Sequence, residues 1–439
     1  MYKISGIPTK TNTKCGELNV VHYLFVVQAV SSAVQIITSI IIGDVARWVG
    51  SIKWTFVFLI FLSFVGNFLY SCASVLSVHS ILGGRILCGV ASASGALIYS
   101  YITATNTDRA KVFKYISSYR SAAGCLMAIS QLIAIFGSYV DFHIGYFKVS
   151  SNNAPTFICS FVMLLLVVCL MLVLKNPSVP PRRDSVSFKS AFRDFCSAEI
   201  HQLLGCIVML WGMFLASFLM SEVVYFMPVF LTESLGWDTK FQGVAFMVAS
   251  IIGICGNLLF PYITKQRSEG EINQLQKQVN RLELVCESID DEKQQQLELF
   301  KKKLMFQNQV LISLLSLAFA LFGQTFMIGA EKTFRSHSLP HINTGCFFVS
   351  GLSLIMLGYN GMASTFPALF SEYIKPQVKL QLMPIIGAIA ALGKLVAPVV
   401  LSNLYQTKLG MSIAVGLGMI LTGLTAPAVL WLLSRKSRA

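Results

Sequence analysis

Apolar runs of about 20 residues, each closed by a polar stretch, recur along the whole chain. A helix needs about 20 such residues to cross roughly 30 Å of hydrocarbon. Eleven stretches meet that length: Val20–Ile42, Trp54–Cys72, Val78–Thr103, Tyr115–Val140, Pro155–Leu174, Leu203–Leu231, Gln242–Ile263, Gln307–Gly329, Gly345–Phe370, Leu380–Ser402 and Gly410–Leu433. They predict an all-α polytopic membrane protein. The polar segment Lys175–Gln202, with Pro177, Pro180 and Pro181, divides the eleven spans five plus six. The expected organisation is a polar N-terminus over 1–19, a five-span bundle over 20–174 and a cytoplasmic linker over 175–202. A six-span bundle over 203–433 and a basic tail over 434–439 follow.

One soluble-looking insertion interrupts the second bundle, at 267–303. There Ile272, Leu275, Val279, Leu282, Cys286 and Ile289 follow the three-and-four spacing of heptad a and d positions among Gln, Glu and Lys. Two readings stand. The segment is a solvated helix that continues the membrane helices into the cytosol, or a coiled coil that self-associates or binds a partner.

Composition agrees with the span count. Of 439 residues, 55% are apolar and 12% charged, and the mean hydropathy is +0.67; soluble proteins carry about 25% charged residues. Soluble enzyme folds are excluded. The net charge of +14 would suit a nucleic-acid binder, but the bases fall in short loops between apolar runs, where they set orientation. With the loop Asp44–Lys53 on the cytoplasmic side, cytoplasmic segments hold 23 of the 34 bases and the opposite side 8. An odd number of spans then puts the N-terminus in the lumen or exterior and the C-terminus in the cytoplasm. Residues 1–19 lack the charged start and apolar core of a cleavable signal. The 11 cysteines show neither metal-ligand spacing nor a pairing pattern. No metal, cofactor, nucleic-acid partner or catalytic constellation is expected, and the chain is not read as an enzyme.

Short motifs now fall on particular spans. Gly43, Asp44, Arg47, Gly50 and Lys53 in the first cytoplasmic loop resemble the loop between helices two and three of the major facilitator superfamily. Arg85-Ile86-Leu87-Cys88-Gly89 is similar to that superfamily's fourth-helix Arg-x-x-x-Gly motif. Over most of the chain, Gly66–Tyr70, Tyr101–Arg109, Asn153–Pro155, Glu222 and Ala390–Pro398 resemble the lysosomal major-facilitator proteins of the neuronal ceroid lipofuscinosis type. That group carries Gly-x-x-x-Arg-x-x-Gly-Pro in helix eleven, where Gly393–Pro398 here has Lys394 for the arginine and Ala397 for the glycine. The resemblance implies a two-bundle major-facilitator fold, transport by alternating access and an endolysosomal membrane. It also implies that Val20–Ile42 is helix two. Either the sequence is truncated before helix one or the chain is an eleven-helix relative; truncation is preferred, because helix one normally lines the transport cavity.

Ionisable side chains inside a span cost at least about 2.5–3.5 kcal/mol each on insertion scales, so they face a cavity or a partner. Four qualify: Arg85, Arg120, Glu222 and Lys394. At 1.5 Å per residue, Arg85 lies about 10 Å, Lys394 about 12 Å and Glu222 about 14 Å from the lumenal ends of their spans. These three are expected to meet in one cavity between the bundles, where secondary transporters hold solute and coupling ions. Two bases and one acid favour an anionic solute, with Glu222 exchanging a proton. The competing reading is a structural salt bridge that locks the halves together. Arg120, about 8 Å from the cytoplasmic side, is explained by snorkelling and is the fourth member of the cavity set.

The function expected is therefore transport of a small, anionic solute across an endolysosomal bilayer, with proton coupling. An anion-conducting pore and a transport-inactive scaffold acting through the coiled coil are the alternatives.

Overall fold

Inside hydrocarbon every backbone N–H and C=O must be satisfied within its own segment, which leaves helices as the way to cross. In the computed structural model the apolar runs are helical accordingly. It describes residues 20–106, 108–137, 139–144, 147–150, 153–174, 192–193, 195, 199–228, 231–232, 236–283, 291–335, 341–374, 378–405 and 410–436. The first half comprises α1 (Val20–Val49), α2 (Ile52–Ser71), α3 (Val78–Ala91), α4 (Ser94–Thr105), α5 (Arg109–Gly137) and α6 (Ala154–Val173). The second comprises α7 (Ile200–Ser221), α8 (Thr239–Glu283), α9 (Asp291–Arg335), α10 (His341–Tyr373), α11 (Lys379–Leu382), α12 (Pro384–Tyr405) and α13 (Gly410–Lys436). Between α5 and α6, strands β1 (Phe142–Ile144) and β2 (Phe147–Val149) pair antiparallel, with His143 opposite Lys148.

One expectation needs correction. Of the eleven expected spans, ten are long and apolar enough to cross a membrane among the described residues, α3 and α4 counting together as His79–Thr103, and Pro384–Val400 is a shorter apolar helix. The expected span Leu380–Ser402 is split because Pro384 has no amide proton to continue the ladder from α11. Over the insertion 267–303 the described helices follow the first of its two readings. Helices α8 and α9 each run for 45 residues, about 68 Å at 1.5 Å per residue, so the membrane helices continue well past the hydrocarbon. Ile272, Leu275, Val279 and Leu282 lie on the extension of α8, while Cys286 and Ile289 lie outside the described residues. Residues 1–19 and most of the 175–202 linker also lie outside them.

Successive spans reverse direction, α3 and α4 forming one span, so the turn after α1, the link from α4 to α5 and the link from α10 to α11 share one end. The halves meet through two long helix pairs, α1 with α12 and α5 with α8. At the shared end, one core draws buried side chains from both halves: Ile102, Val112 and Phe113 pack with Phe370, Leu382 and Ile386. The other cores take their buried members from a single half each. This shared core ties the halves together at that end. Close packing within the second half depends on Gly393, where a β-carbon on α12 would stand 3.1 Å from the Phe218 nitrogen of α7.

Candidate functional site

The loop motif acts as a mechanical tie. Gly50 ends α1 at φ +71°, a left-handed conformation in which a β-carbon would be strained. Ser51 then caps α2 by accepting from the Trp54 amide at 3.1 Å. Asp44 and Arg47 pair along α1, and Gly43 is an interior position of the same helix. With the Gln381 amide of α11 turned so that both its ends find partners, its oxygen accepts from Arg47 at 3.2 Å, which links the halves beside their shared core. Lys53 donates to the Met171 carbonyl at 2.7 Å, satisfying an orphan acceptor in the last turn of α6.

Two of the four intramembrane charges come together, and they come from opposite halves. Arg120 of α5 donates to the Tyr359 hydroxyl of α10, and its guanidinium carbon stands 5.0 Å from the centroid of that ring. This is within the range of a cation–π contact. Arg120 also bonds the Tyr99 side chain of α4. Lys394 of α12 lies within Coulombic reach of both Tyr359 and Arg120. Tyr119 completes the group, its ring edge-on to Tyr99 at a centroid distance of 5.7 Å. Gly95 leaves room for it: a β-carbon there would stand 3.2 Å from the Tyr119 hydroxyl.

Among the described residues, neither Arg120 nor Lys394 has a carboxylate within ion-pair distance. The Arg120 Nε is buried and has no hydrogen-bond partner among them. The site therefore holds two cations facing three tyrosines, with no acid to balance them. Snorkelling does not describe Arg120. The apolar part of α5 begins at Lys111, which puts Arg120 nine residues in, about 14 Å from that end.

Arg85 and Glu222 lie elsewhere. Arg85 of α3 sits over the Tyr70 ring of α2, 4.9 Å from its centroid, and acts electrostatically on Tyr225 beyond α7. Glu222 is 1% exposed and opens a π-helical turn, Glu222–Phe226. Its carboxyl faces Gly418 of α13, as does Gln324 of α9, inside the second half. Among the described residues no ion pair joins Arg85, Glu222 and Lys394, which were expected to meet in one cavity. The depths of these residues follow from counting along a helix; the direction each faces does not. The three tyrosines of the cation cluster escaped the sequence reading, since a tyrosine within an apolar run carries no signal of its own. The adjacency of Tyr119 to Arg120 is the one hint the sequence offers.

Residues 18–275 match the Major Facilitator Superfamily. The chain is 48% identical over 423 residues to the MFS-type transporter PUL3 of Kluyveromyces lactis, covering 96% of this chain and 91% of that one. It is 48% identical over 337 residues to an uncharacterized membrane protein of Saccharomyces cerevisiae, covering 75% of this chain and 98% of that one. Among solved structures, the human organic anion transporter MFSD10 superposes with a TM-score of 0.62 at 13% identity, over 94% of this chain and 84% of that one. The E. coli fucose:proton symporter superposes with a TM-score of 0.56 at 12% identity, over 95% and 97%. Identities this low bear on the fold alone, while the yeast relatives match by sequence over most of the chain. The chain belongs to the Major Facilitator Superfamily and is an integral, multi-pass membrane transporter.

Proposed function

We propose that this transporter moves a small organic anion by alternating access, holding it between Arg120 of one half and Lys394 of the other. The observation that carries the reading is a pair of cations with no carboxylate within ion-pair distance among the described residues. Each is costly inside a membrane, and like charges in one site repel, so an anionic ligand is the partner that balances them. Tyr99, Tyr119 and Tyr359 add hydroxyl groups and ring faces that suit an organic anion better than a bare inorganic one.

The core that buried residues of both halves share supports a carrier over a pore. A pore needs an open path where Ile102, Val112 and Phe113 meet Leu382 and Ile386, whereas a carrier opens that end by rocking the halves about their paired helices. The scaffold reading draws no support from the site. An endolysosomal location, a lumenal N-terminus and a partner for the cytoplasmic extensions of α8 and α9 rest on the sequence reading, and microscopy of terminally tagged chains tests the first two.

The test of the solute class uses purified chain in proteoliposomes and a panel of mono-, di- and tricarboxylates with their neutral amides. A carboxylate is expected to raise thermal stability and its amide is not. Equal stabilisation by the amide, or full stabilisation by the carboxylate in a chain carrying both Arg120→Met and Lys394→Met, would overturn the reading.

A further inference from the structure

The link from α5 to α6 carries a small amphipathic hairpin. Phe142 pairs with Val149 and His143 with Lys148 across it. Directly opposed residues of an antiparallel pair share a face, and neighbours along a strand take opposite faces. The hairpin therefore has an apolar face holding Phe142, Phe147 and Val149, and a polar face holding His143 and Lys148. The apolar face turns toward α6: the Phe147 ring centroid stands 5.6 Å from that of Phe157, and Val149 is buried. On the polar face Lys148 pairs with Asp141 at 3.2 Å, both side chains more than half exposed.

Asn153, the residue before α6, fixes the hairpin in place. Its amide donates to the Lys148 carbonyl at 2.9 Å and to the Ser71 carbonyl at the end of α2 at 3.3 Å. Its oxygen accepts from the Ser150 amide at 2.8 Å. Gly137 brings the end of α5 close as well, since a β-carbon there would stand 3.1 Å from the Pro155 ring.

Between the hairpin and α6 these ties leave a cavity of about 370 Å³. Its lining is apolar throughout, from Val140, Phe142 and Val149 beside the hairpin to Phe161 and Leu165 along the helix. Leu165 lies about 16 Å along α6 from Ala154, at 1.5 Å per residue. Water does not settle in such a space, because it needs polar partners. Left empty, the walls would forfeit their dispersion contacts. The cavity opens on the lipid-facing side of α6, where Phe161, Val162 and Leu165 are 51%, 41% and 65% exposed, so it is continuous with the hydrocarbon. Its depth matches one leaflet, about 15 Å or half of the roughly 30 Å core. A chain inside it lies behind the hairpin, against the buried Val149 and Ala154, a wall that a lipid merely surrounding a helix does not have.

We propose that this cavity holds one acyl chain of a zwitterionic phospholipid, whose headgroup meets the polar face of the hairpin. The exposed Lys148–Asp141 pair offers a cation to the phosphate and an anion to the amine. The single hydroxyl of a sterol would match only one of the two charges, and a purely anionic headgroup would meet Asp141 with like charge. The bound lipid braces the end of α5, the helix that pairs with α8 of the other half. No residue of the anion site takes part, so the inference stands apart from the solute class.

The experiment reconstitutes the full chain in vesicles of phosphatidylcholine, phosphatidylethanolamine, phosphatidylserine and cholesterol in equal amounts. The chain is then extracted in mild detergent and weighed by native mass spectrometry. A peak heavier by one phosphatidylcholine or phosphatidylethanolamine is expected. In Ile158→Trp, which fills the cavity, that peak is expected to be lost. In Val168→Trp, on the exposed side of α6 and outside the cavity lining, it is expected to be retained. A phosphatidylcholine with a photoreactive diazirine in its chain keeps the test decisive if Ile158→Trp does not fold. On the unaltered chain it is expected to label Phe142, Phe157 and Phe161 above the exposed Leu172 and Val173. No retained lipid, retention of phosphatidylserine or cholesterol instead, an unchanged peak in folded Ile158→Trp, or labelling spread evenly along α6 would overturn the proposal.

Discussion

Replacing Lys394 with methionine keeps the length of the side chain and removes its charge, and the two readings of this residue give opposite signs. As one of two uncompensated cations, Lys394 strains the empty protein, since a lysine at membrane depth costs about 2.5–3.5 kcal/mol on insertion scales. Arg120 adds repulsion to that cost. The empty Lys394→Met protein is therefore expected to be more stable than the parent, by up to about 3 kcal/mol. The bound state moves the other way. An anion about 4 Å from the ammonium gains roughly 4 kcal/mol at an effective dielectric of 20. If desolvation cancels about half, the loss is about 2 kcal/mol, close to thirtyfold in affinity. At a concentration of 100 times its dissociation constant, a carboxylate stabilises the parent by about 2.7 kcal/mol. The same concentration is about three times the weakened constant, so the variant gains only about 0.9 kcal/mol. Thermal midpoints with and without the carboxylate read both quantities. A structural lock predicts the reverse, because breaking a buried ion pair costs about 3–5 kcal/mol. A lower midpoint for the empty variant, together with an undiminished carboxylate increment, would refute the reasoning.

The remaining predictions concern the supports of the site and the fold. Tyr359→Phe removes the hydroxyl that accepts from Arg120 but keeps the ring, so a stability loss of about 1.5–3 kcal/mol is expected; Tyr359→Leu should lose about a further 0.5–2 kcal/mol with the cation–π contact. Asn257 donates to Asn360 at 3.0 Å between α8 and α10. Asn257→Leu strands that buried acceptor at a cost of about 1–3 kcal/mol, and the double change with Asn360→Leu is expected to recover part of it, as a double-mutant cycle by thermal midpoint would show. Gly50→Ala forces a β-carbon into a left-handed turn and is expected to cost about 1–2 kcal/mol, with Gly50→Asn costing less.

The spans were legible because hydrocarbon leaves a sequence few ways to cross it, and composition alone marks them. The breaks at Pro384 and after Ala91 were not legible as breaks, since both sit within continuous apolar runs. The charges show the same limit more sharply. Counting along a helix gives depth, but the angle about the axis is set by which small residue meets a neighbouring backbone. Gly393 presses against α7, and the next residue along a helix points about 100° away. That rotation turns Lys394 away from α7, which leads into the turn opened by Glu222, and toward Tyr359. Likewise Glu222 finds its place through Gly418, a residue some two hundred positions distant with no chemical signature. Depth is local information, whereas azimuth depends on tertiary packing.

The pairing of cations from opposite halves has a mechanical consequence. A ligand shifts a two-state equilibrium only as far as its affinities for the two states differ. An anion held by Arg120 alone or Lys394 alone would bind equally well whether the halves were open or closed around it. An anion that bridges both binds best where the halves approach, so the binding energy itself favours closure. In the empty site the same two charges repel and oppose that closure.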